Sequence, residues 1–147
     1  MKFRKAIFGD IPKLVKLFEE YRVFYGEEPN LELATNFIEH RIKNGESVVF
    51  ICENKDNQII GFAQLYPLFS STRLKKIWLL NDLFVDENFR GLGISKELLD
   101  CAKDLCRETG ACELTLETQR NNVIANRLYK KTDFSLDIEH NFYAWSG

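Results

Sequence analysis

Residues 78–99, WLLNDLFVDENFRGLGISKELL, limit what this chain can fold into more than any other stretch. An apolar run ends in a charged turn, and Gly91-Leu92-Gly93 then opens directly onto a helical pattern. Glycine is the residue that reverses the backbone this tightly at low cost. Both alternating sets of the run are apolar, so a strand over 74–86 is predicted, buried on its two faces. Asn81 and Asp82 interrupt it. A buried carboxylate is costly unless paired, so these two residues need either a partner or a purpose.

The glycine turn has two readings. As ordinary loop chemistry it joins a strand to a helix. As a binding element, it lets the backbone approach a ligand while the helix starting near Ile94 points unpaired N–H groups outward. Such a terminus favours an anion, and Arg90 and Lys96 add positive charge around it, so a pyrophosphate is the natural guest. It is not a dinucleotide fingerprint, because Lys96 stands where a third glycine belongs, and the P-loop pattern occurs nowhere.

The rest of the chain supplies the partners of that strand. KFRKAIF (2–8) reads as a strand, followed by Asp10 as a helix N-cap and a helix to about Phe24. A break at 26–30 precedes a second helix, which Asn44-Gly45 closes. SVVFICEN (47–54) and IIGFAQLYPLF (59–69) form a hairpin, with Pro67 marking a bend or a sheet edge. After the glycine turn a helix runs to Gly110, CELTLET (112–118) alternates as a strand, and a short helix capped at Asn121 or Asn122 reaches Lys131. Phe134 to Trp145 are expected to hold one or two closing strands. This order defines an α+β class with a mixed sheet. No linker or repeat appears, so one domain over 1–147 is expected.

Composition removes several functions. Twenty basic residues against 22 acidic leave a net charge of −2, which argues against non-specific nucleic-acid binding. No apolar run reaches membrane-spanning or signal-peptide length, so a cytoplasmic protein without a membrane partner is expected. The four cysteines lack Cys-x-x-Cys spacing, and His40 and His140 are the only histidines. A metal site is therefore not expected.

LFVDENFRGLGISKELL resembles the acetyl-CoA signature of the GNAT superfamily of N-acetyltransferases, through Arg90 and Gly93, with Ser95 replacing the final small residue. NNVIANRLYKKTDF (121–134) is similar to the second family signature, through Asn122, Ala125, Leu128, Tyr129 and Phe134. The resemblance covers essentially the whole chain. It implies the acyl-CoA N-acyltransferase fold, with a mostly antiparallel sheet of six to seven strands and about four helices. It also implies acetyl-CoA as co-substrate and no metal.

Under that resemblance, backbone groups of Leu83, Phe84 and Val85 pair with the pantetheine arm beside a splay between this strand and CELTLET. Amides of Arg90, Gly91, Leu92, Gly93, Ile94, Ser95 and Lys96 cradle the pyrophosphate, and Asn122 contacts the cofactor near the thioester. An amide at Phe84 or a neighbour polarises the carbonyl, and Tyr129 protonates the leaving sulfur. Asp133 stands where the family has glycine, so a left-handed helix exit is expected there.

Acyl transfer to an amine needs a deprotonated nitrogen and a donor for the oxyanion. Asp82 is the candidate to draw in a substrate ammonium and accept its proton. Bonding backbone amides beside a bulge is the structural alternative. LLNDLFV resembles the corresponding strand of spermidine/spermine acetyltransferases, although Asn81 stands where they often carry a second acid. Tyr21 and Tyr25, next to Glu27 and Glu28, form either one wall of an amine site or a packed helix end.

The function expected is transfer of an acetyl group to a primary amine of a small molecule. Acetylation of a protein lysine or N-terminus is the alternative, and a degenerate acyl-CoA-binding regulator is the alternative from another class. The aromatic tail NFYAW (141–145) suits a homodimer edge or a return into the core.

Overall fold

A computed structural model describes all residues, Met1–Gly147. Two compact units divide the chain, Met1–Glu117 and Thr118–Gly147. In the first, β1 (Lys2–Lys5), α1 (Ile11–Phe24), α2 (Leu31–Lys43), β2 (Val48–Glu53), β3 (Ile59–Ser70), β4 (Lys75–Val85), α3 (Ile94–Thr109) and β5 (Glu113–Thr115) follow in order. The strands form one sheet in sequence order, antiparallel except for the parallel β4–β5 pair.

Periodicity explains both faces of the sheet. Ile11, Leu14, Val15, Leu17 and Phe18 make the buried stripe of α1 and join Ala34 and Ile38 of α2. That cluster also takes Val49, Ile51, Phe62 and Phe84 from the sheet. Phe50 and Cys52, in the alternate phase of β2, are buried on the other side. The stripe of α3 there is Ile94, Leu98, Leu99, Ala102 and Leu105. Gly61 of β3 makes room for it: a Cβ would stand 2.9 Å from Ile94 Cγ2 and 3.4 Å from Leu98 Cδ1.

Local expectations met several outcomes. Helix α1 ends at Phe24, and Gly110 closes α3 at φ 67°. Asp10 precedes α1 but does not cap it with its side chain. Its carboxylate instead accepts from the Ile7 amide and, at 2.7 and 2.8 Å, from the Arg4 guanidinium. That partner holds the carboxyl below its ordinary range. Strand β3 runs unbroken through Pro67. Pairing with β2 stops at Leu65, so the missing N–H falls on a free edge. In β4, Trp78, Leu80, Asp82 and Phe84 are buried, whereas Ile77, Leu79 and Leu83 are only half-buried.

The second unit holds α4 (Val123–Lys131), with Asn122 as N-cap: its Oδ1 accepts from the Ala125 amide at 3.1 Å. Asp133 takes φ 68°, the left-handed exit anticipated at that position. The closing strands expected over Phe134–Trp145 are not formed, so the sheet has five strands and not six or seven. Within that stretch the Asp137 carboxylate accepts from the amides of Glu139 and His140 at 2.9 and 3.1 Å. Such a turn diverts backbone donors that a strand would use. No helix is long and apolar enough to cross a membrane.

Candidate active site

Strand β4 changes character along its length. Its first half is paired on both edges, to β3 and, through Ile77, Trp78 and Leu79, to Glu113, Leu114 and Thr115 of β5. Beyond Leu79 no strand pairs with it on the β5 side. The register with β3 also shifts here: Gln64 faces Asp82 and Leu65 faces Leu80, which leaves Asn81 as an extra, exposed residue. This is a β-bulge, a device that re-aims neighbouring side chains. It accounts for the polar pair inside an apolar strand.

Past the bulge the amides alternate. The Asp86 amide donates to Ile60 O at 2.9 Å, so even-numbered residues of this segment turn their groups toward β3. Leu83 and Val85 therefore present theirs on the opposite edge. Of the three residues singled out for an added-strand contact, Phe84 faces β3, and Leu83 is the neighbour with an outward N–H. The Val85 carbonyl already accepts from Arg90 Nε at 3.1 Å.

The turn that follows is made by backbone. Gly91 and Gly93 lie at φ 79° and 81°, and nothing stands within 4 Å of a Cβ at either position. Conformation, not crowding, demands glycine there. Gly93 is the N-cap of α3, whose first internal bond is Glu97 N–H to Gly93 O, at 3.2 Å. The amides of Ile94, Ser95 and Lys96 are thus the orphan donors of a four-turn helix, where an anion is favoured.

The two cations expected to ring this turn are otherwise engaged. Lys96 Nζ pairs with Asp100 at 2.9 Å on the exposed face of α3. The Arg90 guanidinium lies 5.4 Å from the Phe24 ring centre and 5.3 Å from that of Phe84. Both choices follow from geometry: an (i, i+4) acid is always within reach of a helix lysine, and arginine stacks readily on aromatic faces. An open cavity of about 520 Å³ adjoins Arg90 and is walled by Glu20, Phe24, Phe84, Asp86 and Glu87. Burial, with the charges of Asp86 and Glu87, pushes the Glu20 carboxyl up. Negative walls of this kind repel phosphate.

Asp82 is 5% exposed and is the hub of a side-chain cluster. The Tyr21 hydroxyl donates to its Oδ1 at 2.8 Å, and Asn81 Nδ2 donates to the same oxygen at 3.1 Å. Gln64 Nε2 donates to Oδ2 at 2.7 Å, and Ser47 Oγ donates to Gln64 Oε1 at 2.9 Å. Phe62 and Phe84 pack around the Tyr21 ring with centroids 5.6 Å away, and exposed Tyr25 meets it edge-on at 5.1 Å. Burial first, then the Asp82 charge, raises the Tyr21 phenol far above its usual value and pushes Tyr66 up to about 12. Both therefore keep their protons at neutral pH. A carboxylate offers about four acceptor positions. The three bonds from Tyr21, Asn81 and Gln64 leave one, on Oδ2.

Tyr21, Asn81 and Asp82 are thus brought together, with Tyr25 against Tyr21. Asn122 and Tyr129 belong to the second unit. There Asn122 caps α4, and the Tyr129 ring meets Phe134 at 5.8 Å in an edge-to-face contact. Gln64 and Ser47 were not singled out from the sequence. The available signal was one amide inside the otherwise apolar IIGFAQL of β3, fully buried here.

One edge of β4 is thus unpaired beyond Leu79, runs into a turn of unpaired amides, and lies beside an aromatic-walled carboxylate. A solved crystal structure of a probable acetyltransferase is 35% identical, with a TM-score of 0.95, covering 99% of this chain and 97% of that one. A Bacillus subtilis protein described as an uncharacterized N-acetyltransferase, YhfO, is 41% identical over 137 residues, 93% of this chain and 91% of its own. The spermine/spermidine N(1)-acetyltransferase of the same organism is 29% identical over 92 residues, 59% of each chain. The profile of the Acetyltransferase (GNAT) family matches residues 12–134. The chain belongs to that family: it is an acetyl-transferring enzyme with the GNAT fold.

Proposed function

We propose that the enzyme moves an acetyl group from acetyl-CoA to the primary amine of a small molecule, by direct attack on the thioester. The observation that carries this reading is the open edge of β4 leading into the left-handed glycine turn at the start of α3. The outward groups of Leu83 and Val85 hold the pantetheine amides, and the turn amides of residues 91–96 hold the pyrophosphate. The Leu83 amide is the donor for the oxyanion.

Asp82, with the Tyr21 and Tyr25 rings, receives the substrate ammonium. One ammonium proton passes through water to the remaining acceptor position on Oδ2 and on to solvent. The nitrogen lone pair then attacks the thioester carbon, the tetrahedral intermediate collapses, and the C–S bond breaks. Tyr129, by its place in the second signature, gives a proton to the departing thiolate. The second nitrogen proton leaves for solvent and balances the proton that Tyr129 regains. One net proton is released per turnover.

The reading treats 1–147 as one working domain in a cytoplasmic setting, without metal or nucleic acid. It also includes a homodimer. Phe142, Tyr143 and Trp145 are 84 to 92% exposed, with Leu136 and Ile138 at 76 and 87%. Three buried aromatics cover roughly 450–750 Å², close to the ~800 Å² per partner of a stable interface. A second copy receiving this tail, and donating its own, reaches that size. Light scattering should give twice the chain mass, and a chain ending at residue 134 should give the monomer.

Calorimetry with coenzyme A and a thiol-release assay over polyamines, amino acids and aminoglycosides test the reading together. Micromolar CoA binding with thiol release on at least one small amine is the expected result. Binding without release for any amine supports a regulator, and release only with peptides supports a protein acetyltransferase. Absence of CoA binding by folded protein overturns the whole assignment. Tyr129→Phe should lower turnover at least tenfold, roughly the contribution of one general acid, with CoA affinity unchanged. Equal turnover removes Tyr129 from the mechanism.

A further inference from the structure

Gln64 sits on β3 directly across from Asp82, with none of its surface exposed. An amide buried between apolar neighbours is destabilising unless both ends are bonded. Here both are: Ser47 Oγ donates to Oε1 at 2.9 Å, and Nε2 donates to Asp82 Oδ2 at 2.7 Å. The orientation is forced. An ionised carboxylate only accepts, so a flipped amide would set two acceptors against each other, whereas the Ser47 hydroxyl can turn to suit either end. Ser47 is itself buried, and no buried side-chain polar atom of the protein lacks a partner.

The chain Ser47, Gln64, Asp82 therefore runs inward from the start of β2, across β3, to the bulge in β4. It anchors one carboxylate oxygen while Tyr21 and Asn81 fill the other. We propose that Gln64, braced by Ser47, is a positioning residue for acetyl transfer: it fixes the Asp82 carboxylate so that its one remaining acceptor position stays aimed for the incoming amine. This rests on the reading of Asp82 given under Proposed function, and it adds two residues that never touch substrate.

Removing a donor from a carboxylate disfavours its charged form, so the protein without Gln64 Nε2 must reach higher pH before Asp82 can act. The groups facing Asp82 are the Tyr21 phenol of α1 with Tyr25 beside it, Tyr66 of β3, and Arg41 of α2 beyond Tyr66. Phenols and guanidinium groups ordinarily change charge only near pH 10 or above. Asp82 is the only carboxyl among these groups.

The experiment compares Gln64→Leu, Ser47→Ala and Ser47→Thr with the parent, reading kcat and KM for the best amine across pH, thermal melting, and CoA binding by calorimetry. Gln64→Leu should move the acid limb of kcat/KM upward by about one pH unit. It should also lower kcat roughly tenfold, with CoA affinity within about twofold of the parent. Ser47→Ala should shift the limb the same way by less, and Ser47→Thr, which keeps the hydroxyl, should restore it. If Gln64→Leu does not fold, the Ser47 pair decides the matter. An acid limb that stays in place in folded variants, with only melting lowered, overturns the inference. A parent protein that binds CoA but acetylates no amine fails differently, because it removes the reading of Asp82 beneath the inference.

Discussion

The glycine turn at residues 90–96 and the cluster around Asp82 lie a few residues apart along one course of chain, yet they are built in opposite ways. The turn is main chain. Its side chains face elsewhere: Arg90 lies on two phenylalanines and holds the Val85 carbonyl, and Lys96 is tied to Asp100. What remains for a ligand is a set of amides shaped by two left-handed glycines. The Asp82 cluster is side chain throughout, and its members come from α1, β3, β4 and the residue just before β2. A site made of backbone recognises a feature common to many ligands, such as a diphosphate. A site made of converging side chains can hold one proton and one charge in a defined place.

This contrast can be broken by three substitutions of decreasing effect. Asp82→Asn should be the most severe. It replaces a carboxylate by a neutral amide that cannot take up the proton of an ammonium. Turnover should fall by roughly 10²–10³, in the range of a lost general base, while CoA binding stays as in the parent. An acid limb of the pH–rate profile that matches the parent's would exclude Asp82 as the proton acceptor.

Gly93→Ala should show the reverse pattern. A side chain at φ 81° costs about 1–2 kcal/mol, and relief of that strain rotates the amides. CoA affinity should fall about tenfold while the pH profile keeps its shape. Affinity equal to the parent's in a well-folded variant would show that the amides do not grip the diphosphate. Asp133→Gly should have the mildest consequence. It places glycine at another left-handed position, φ 68°, at the exit of α4. Stability should rise by roughly 0.5–1 kcal/mol with kinetics unchanged; a lower melting temperature would count against the conformational argument.

The same contrast explains what could be read in the sequence. A glycine turn before a helix is written in consecutive letters, and so are the boundaries of α1, the Gly110 stop and the left-handed exit at Asp133. Asp82 announced itself as a charge in an apolar strand. Asn81 and Tyr21 were also named, but the bonding was hidden and Gln64 and Ser47 were missed, because Tyr21 is 61 residues from Asp82, Gln64 is 18 away, and Ser47 is a further 17 beyond Gln64. Nothing local says that an amide in β3 will face a carboxylate across a bulge. The Arg90 and Lys96 charges were visible, but the direction of a long side chain depends on neighbours. Closing strands were expected over Phe134 to Trp145, whereas Asp137 binds the Glu139 and His140 amides in their midst.

Gly61 carries an unobvious liability. It is remote in sequence from the turn, yet the methyl of an alanine there would press on Ile94, the residue from which α3 departs. Ile94 would have to shift, at the end of α3 that carries the unpaired amides. Under the proposed function, a silent-looking change inside the core would thus weaken coenzyme A binding from a residue outside the proposed cofactor contacts.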